Sequence, residues 1–199
     1  MANVDRPRGF RPAKYASGAP WTGKVERFVA LSGASAIFVG DLVELNGDAD
    51  VDGNPAVRPL QNIVSGPTVG AVVSVGFLPT DLNTGSPGSF APSAATINRY
   101  VYVASDPQII FEVQADSAMD FNDVGYYSDV TVSQYGSATT GTSGMELDAS
   151  VLIVATTSSD HLLRIVGFST QVDNEVSNDS SKVLVMLNPA KHSRGTGVV

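Results

Sequence analysis

Short runs of β-branched and aromatic residues recur along the chain, each bounded by Gly, Pro, Asn, Asp or Ser, and this rhythm predicts strands. Such runs occupy residues 24–31 (KVERFVAL), 36–45 (AIFVGDLVEL), 70–77 (GAVVSVGF), 99–104 (RYVYVA) and 108–114 (QIIFEVQ). They continue at 126–132 (YYSDVTV), 151–156, 162–170 and 182–188. About nine strands at this spacing predict an all-β body, either a β-barrel or a β-sandwich of jelly-roll type. No window sustains a helical period, and residues 117–122 have the makings of a single turn. Residues 78–96 and 134–144 are turn-rich and poor in core residues, so they read as long loops, suited to contacts between subunits. One echo stands out. Residues 72–77 (VVSVGF) resemble 162–168 (LLRIVGF), and Val39-Gly40-Asp41 and Asp123-Val124-Gly125 precede them by 36 and 42 residues, Gly to Gly. The two readings are a duplicated strand pair within one barrel and a chance match.

Residues 1–20 (MANVDRPRGFRPAKYASGAP) break the rhythm. Three prolines fix φ and remove backbone donors, and two glycines loosen the remainder, which predicts an extended arm. Phe10, Tyr15 and Trp21 give that arm apolar side chains to bury on a partner. The expected organisation is an arm over 1–20, an all-β body over 21–188 and a short basic tail over 189–199.

Charge sharpens this division. Through Arg27 the balance is +4, with Arg6, Arg8, Arg11, Lys14, Lys24 and Arg27 set against Asp5 and Glu26. Residues 28–181 hold eighteen acids and three arginines, a balance of −15, and Lys182 onward contributes +3. Basic ends on an acidic middle favour contact with neighbouring acidic bodies, since opposite surfaces attract while like ones repel.

Composition excludes several chemistries. There is no cysteine, hence no disulfide or thiolate metal site. No apolar stretch of about 18 residues predicts a membrane span, and no apolar segment follows the early basic residues as in a secretory signal. A pI near 4.5 argues against a nucleic-acid partner, which needs a basic face. With His161 and His192 the only histidines, neither near a Gly-x-Ser-x-Gly elbow, catalysis is not expected and no cofactor is implied. Asp48-Ala49-Asp50-Val51-Asp52-Gly53 opens like a calcium loop, but Pro59 stands where the bidentate Glu belongs. The favoured reading is a solvated hairpin turn, with Asp48, Asp50 and Asp52 as the candidate metal ligands.

A set of local motifs resembles a family of virion structural proteins from tailed bacteriophages, particularly short-tailed ones. The matching residues are 111–116 (FEVQAD), Asp123-Val124-Gly125, 139–150 (TTGTSGMELDAS), Leu163-Arg164-Ile165 and Asp173-Asn174-Glu175. Further matches are Val185-Met186-Leu187-Asn188, His192, Gly195-Thr196-Gly197-Val198, and at the start Met1-Ala2-Asn3, Gly9-Phe10-Arg11-Pro12 and Gly18-Ala19-Pro20-Trp21. Residues 46–100 match least, and Lys182-Val183-Leu184 stands where an aromatic is expected. The resemblance implies a decoration or cement protein on the outer capsid face, partnered by the major capsid protein and by its own copies as a dimer or trimer. On that reading Arg6, Arg8, Arg11 and Lys14 pair with a neighbour's carboxylates. Phe10, Tyr15 and Trp21 anchor in apolar grooves, and Lys191 and Arg194 form a second bridge. Removing residues 1–20 is then expected to leave a folded body that no longer binds shells. The alternative is a glycan-binding β-sandwich using Tyr100, Tyr102, Tyr126 and Tyr127.

Overall fold

In the computed structural model, which describes residues 3–61, 67–76, 90–93, 95–132, 136–154 and 160–193, these segments form thirteen strands. They are β1 Arg11–Tyr15, β2 Glu26–Ala30, β3 Ile37–Phe38, β4 Leu42–Ala49, β5 Pro55–Pro59, β6 Thr68–Val75 and β7 Phe90–Ala91. The series continues with β8 Arg99–Ala104, β9 Ile109–Gln114, β10 Tyr127–Thr131, β11 Glu146–Ile153, β12 Leu163–Phe168 and β13 Lys182–Leu187. The all-β class is therefore as expected, and the turn expected within 117–122 is a 3₁₀ turn at Phe121–Asp123, capped by Asp120. The apolar run 36–45 is divided because Gly40 takes φ +96°, a conformation costly for any residue with a Cβ.

The β-barrel or sandwich body expected from the sequence is divided between two larger sheets and a short pair, β3 with β7. β2, β5, β4, β6 and β8 close into a five-stranded barrel, sealed by a parallel contact at Val29↔Ala56. β9, β13, β12, β10 and β11 follow in a second sheet, with β1 added on the outer side of β9. This sheet curls until β11 meets the end of β9 through the parallel bridge Ala115↔Leu147 and an Asp116 N–H bond to the Leu147 carbonyl at 3.0 Å. Both units share one wiring: first strand to fifth, fifth to fourth, fourth to second, second to third, and third back to the first in parallel.

Registers match as well. Leu42 opposes Ala71 in the first unit, and Tyr127 opposes Arg164 in the second. The irregularity after Val72 recurs after Ile165. Gly40 and Gly125 have φ of +96° and +95°. Gly40 N–H donates to the Val72 carbonyl as Gly125 N–H donates to that of Ile165, at 2.8 and 2.9 Å. Interior positions coincide too: Phe28 with Val113, Ala30 with Ala115, Val57 with Leu147, Val69 with Leu162, Val101 with Val183 and Val103 with Val185, all buried. Each unit even buries an acid at one equivalent place. Glu44 accepts from Arg58 Nε at 2.7 Å, and Asp129 accepts from the Leu162 N–H at 2.9 Å and contacts His161 Nδ1 at 2.8 Å. The two units are thus a structural repeat within the chain. The sequence echo lies on equivalent strands, β6 and β12, but one is in the closed barrel and the other in the six-stranded sheet. Its Val-Gly match, Val75-Gly76 against Val166-Gly167, is displaced by two residues from the structural register.

The first barrel is filled by its own valines with Phe28, Ile37 and Ala91. Its outer face, presented by Leu42, Ala71 and Ala104, joins the second core together with Phe10 and Met145. The leader's Phe10 and the outer face of the first barrel are thus packed into the same core that fills the second unit.

Candidate binding surface on the clamped leader

The leader is not a projecting arm. Asn3 opens it, donating to the carbonyls of Glu175 and Asp179 at 2.8 and 3.0 Å and accepting from the Glu175 N–H at 2.8 Å. The Arg6 N–H donates to Gln114 Oε1, whose amide nitrogen reaches Asp5 and the largely buried Glu146. Burial holds the Glu146 carboxyl above the usual range; the Gln114 bond opposes this, and Asp5 and Asp116 add to it. Gly9, at φ +64°, lies so close to the carbonyl of Gly40 that a Cβ would stand 2.3 Å from that oxygen. Phe10 then donates its N–H to Gly40 O at 2.8 Å and buries its ring edge-on to Phe111, 6.5 Å between centroids. β1 continues antiparallel to β9, Arg11 opposite Glu112 and Tyr15 opposite Ile109. A tight turn at Tyr15–Ala19 brings the chain back along β1, where Trp21 N–H meets the Ala13 carbonyl at 3.4 Å.

The expectation of an arm over 1–20 is thus corrected for residues 3–20. Prolines did not prevent strand formation because β1 is an edge strand, where a missing donor is tolerated and even deters further pairing. The apolar anchors Phe10, Tyr15 and Trp21 bury on this chain's own core. The tail behaves alike: Thr68 donates to the Lys191 carbonyl and accepts from the Ser193 N–H, so the described residues 189–193 dock on β6 and His192 is buried. Lys191 is half-buried there, and Arg194 lies outside the described residues.

The cations point the other way. Arg6, Arg8, Arg11 and Lys14 are all exposed. Among the described residues none of these four side chains takes part in an ion pair or hydrogen bond. Glu112, across from Arg11, is engaged instead by Ser169 Oγ at 2.6 Å and Gln171 Nε2 at 3.0 Å. Arg6, Arg8 and Arg11 rim a cleft of about 640 Å³ shared with Trp21, Thr140, Thr142 and Ser143. The far wall is the described part of the second predicted loop, a strap that crosses to the first barrel. Val39 donates to Gly141 O at 3.1 Å and Ser143 N–H donates to Val39 O at 2.8 Å.

Asp41 sits beneath the strap. Burial raises its pKa to about 6, against hydrogen bonds from Ser143 and the Phe38 N–H. A carboxyl with a raised native pKa binds more protons folded than unfolded, so its contribution falls as pH climbs from about 4 to 6 and stays low above that. Asp41→Asn should therefore remove about 2–3 kcal/mol of pH-dependent loss over this window, read as the difference between wild-type and variant urea-unfolding curves at pH 4 and pH 7.

The other candidates are placed plainly. Asp48, Asp50 and Asp52 lie on the β4–β5 hairpin, turned at Gly53 by its N–H bond to Asp50 O, as the turn reading expects. Asp50 oxygens accept from Asn54 and the Asp52 N–H, and among the described residues no cluster of three or more His, Asp or Glu is placed to hold a metal. Tyr100, Tyr102, Tyr126 and Tyr127 are half-buried; Tyr100 lies under Arg27 and Tyr126 packs on the core. No helix among the described residues is long and apolar enough to cross a membrane. Sequence reasoning missed the strap, whose binding partner is Val39 backbone and leaves no side-chain signature. Comparison with protein-family models, with curated proteins and with solved structures finds no match.

Proposed function

We propose that this chain is a non-enzymatic structural protein of a virion that decorates the outer face of a capsid shell, binding the major capsid protein and neighbouring copies of itself. The observation that carries the reading is the strip of four cations, without an ion pair among the described residues of a chain of net charge −8 and held on a clamped backbone. Side chains left without internal counter-charges are free to meet a partner's carboxylates, and Arg is suited to grip them in two places. The motif resemblance to tailed-phage structural proteins supports the identity of that partner. The leader does not cross to an adjoining subunit in this reading; it presents a pre-ordered surface, so binding need not pay for ordering it.

Exposed ion pairs contribute up to about 1 kcal/mol each, so the four together are worth about 2–4 kcal/mol, roughly 30- to 1,000-fold in affinity. The quadruple variant Arg6→Glu, Arg8→Glu, Arg11→Glu, Lys14→Glu should fold normally and lose that much binding to purified shells in a sedimentation assay. Wild-type binding should weaken from 50 to 500 mM salt as screening grows. Unchanged occupancy of shells by the variant would refute the assignment.

A further inference from the structure

The repeat exposes a vacancy. In the second unit β1 covers Ile109–Glu112 of β9; the equivalent stretch of β2 is Lys24 through Arg27. Among the described residues no strand lies against that stretch, because the β2–β5 ladder reaches only Val29. Alternation in β9 sets which groups face the vacancy. Gln108 receives the Ala16 N–H on the β1 side, whereas Ala115 donates to Ser181 on the β13 side. By the same alternation Glu26 and Phe28 bond to β8, while Val25 and Arg27 turn their backbone groups outward. Among the described residues neither has a backbone partner on that side, the Lys24 side chain is 62% exposed, and a Cβ on the preceding Gly23 would meet nothing within 4 Å.

We infer that the β2 edge at Lys24–Arg27 is a seat for an extended acidic segment of a partner protein, which adds to the first barrel as β1 adds to the second. The occupant's charge follows from the template. In the second unit the seat residue Glu112 has a cationic strand residue, Arg11, opposite it in the register, although its carboxylate bonds to Ser169 and Gln171 and makes no ion pair with Arg11. In the first unit that seat position is Arg27, so the favourable cross-strand partner is a carboxylate. Arg27 is already oriented for this role: its Nε and Nη2 donate to Asn54 Oδ1 at 3.2 and 2.9 Å, and the guanidinium lies 4.8 Å over the Tyr100 ring. Of the acids nearest the seat, Glu26 accepts from Ser105 at 2.7 Å, Asp106 lies 3.8 Å from Lys24, and Asp50, which accepts from Asn54, is near enough to Arg27 to interact with its charge. Arg27 therefore discriminates between incoming charges. Main-chain bonds would supply attachment and the side chains selectivity, the general mode of strand addition. This inference goes beyond the virion reading and stands whichever protein supplies the strand.

The chain itself supplies a probe. An octapeptide of residues 9–16 (GFRPAKYA) carrying Arg11→Glu and Lys14→Glu, titrated into the full-length protein, should shift the amide resonances of Val25 and Arg27 and bind at least tenfold more tightly than the unaltered octapeptide. Val25→Pro, which removes an outward donor, should abolish the shifts, and Arg27→Glu, a surface change that leaves the fold intact, should reverse the preference. Equal binding of both peptides, or persistence of the preference in Arg27→Glu, would overturn the inference. So would dimerisation of the protein alone that Val25→Pro abolishes, since the edge would then serve a second copy.

Discussion

Phe10→Ala will lower the unfolding free energy by about 3–5 kcal/mol, the range for emptying a fully enclosed aromatic site. The ring is 1% exposed and lies between the two units, against Phe111 and the outer face of the first barrel. Its loss removes apolar burial from both units together, and no neighbouring strand is free to collapse into the space. The leader should also detach, since β1 offers few ladder bonds without that anchor. Urea titration reads the first effect. Trypsin reads the second, because the Arg8–Gly9 and Lys14–Tyr15 bonds are cut only in a chain that can leave β9. A variant within 1 kcal/mol of wild type and equally resistant to trypsin would mean that the ring contributes no clamp. The same reasoning revises the effect of deleting residues 1–20: the remaining body loses a core side chain and a sheet strand, and is destabilised by a similar amount or more.

Gly40→Ala and Gly125→Ala form a matched pair. Both glycines stand at one backbone position of the repeat with nearly the same positive φ, so each substitution incurs about 1–2 kcal/mol of left-handed strain. At Gly125 that is the whole effect, because a Cβ there meets nothing within 4 Å. At Gly40 the Cβ would lie 2.3 Å from the carbonyl of Arg8, and the leader must lift away. Gly40→Ala should therefore cost at least about 2–3 kcal/mol more than Gly125→Ala, the excess being close to the contribution of the leader contact. Equal losses in urea unfolding would show that the leader does not press on Gly40.

Much of the fold was legible in the residues. Each of the nine predicted runs overlaps a strand, since each couples β-branched or aromatic side chains to turn residues, but the run at 151–156 catches only the last three residues of β11, which begins at Glu146. The three strands that escaped have specific reasons. β5 is bounded by Pro55 and Pro59, β1 contains Pro12, and β7 is two residues long; proline reads as a breaker unless the strand lies at an edge or end. Gly40 and Gly125 did announce the repeat, but the second shared glycine pulled the match two residues out of register. Registers are fixed by pairing across the sheet, which one strand's sequence does not encode. The four leader cations were legible as candidates, whereas the clamp was not. Phe10 reads identically whether its groove belongs to a neighbour or to the same chain, and only long-range packing decides between them.

Amide hydrogen exchange of the isolated chain puts the clamp to the most direct test. The Phe10 N–H, bonded to Gly40, and the N–H groups of Arg11 and Lys14 should exchange at least about a thousandfold more slowly than in an unstructured peptide, alongside core strands such as β9. Exchange at the free-peptide rate across residues 9–15, with β9 still protected, would show a leader detached from its own body and contradict the account.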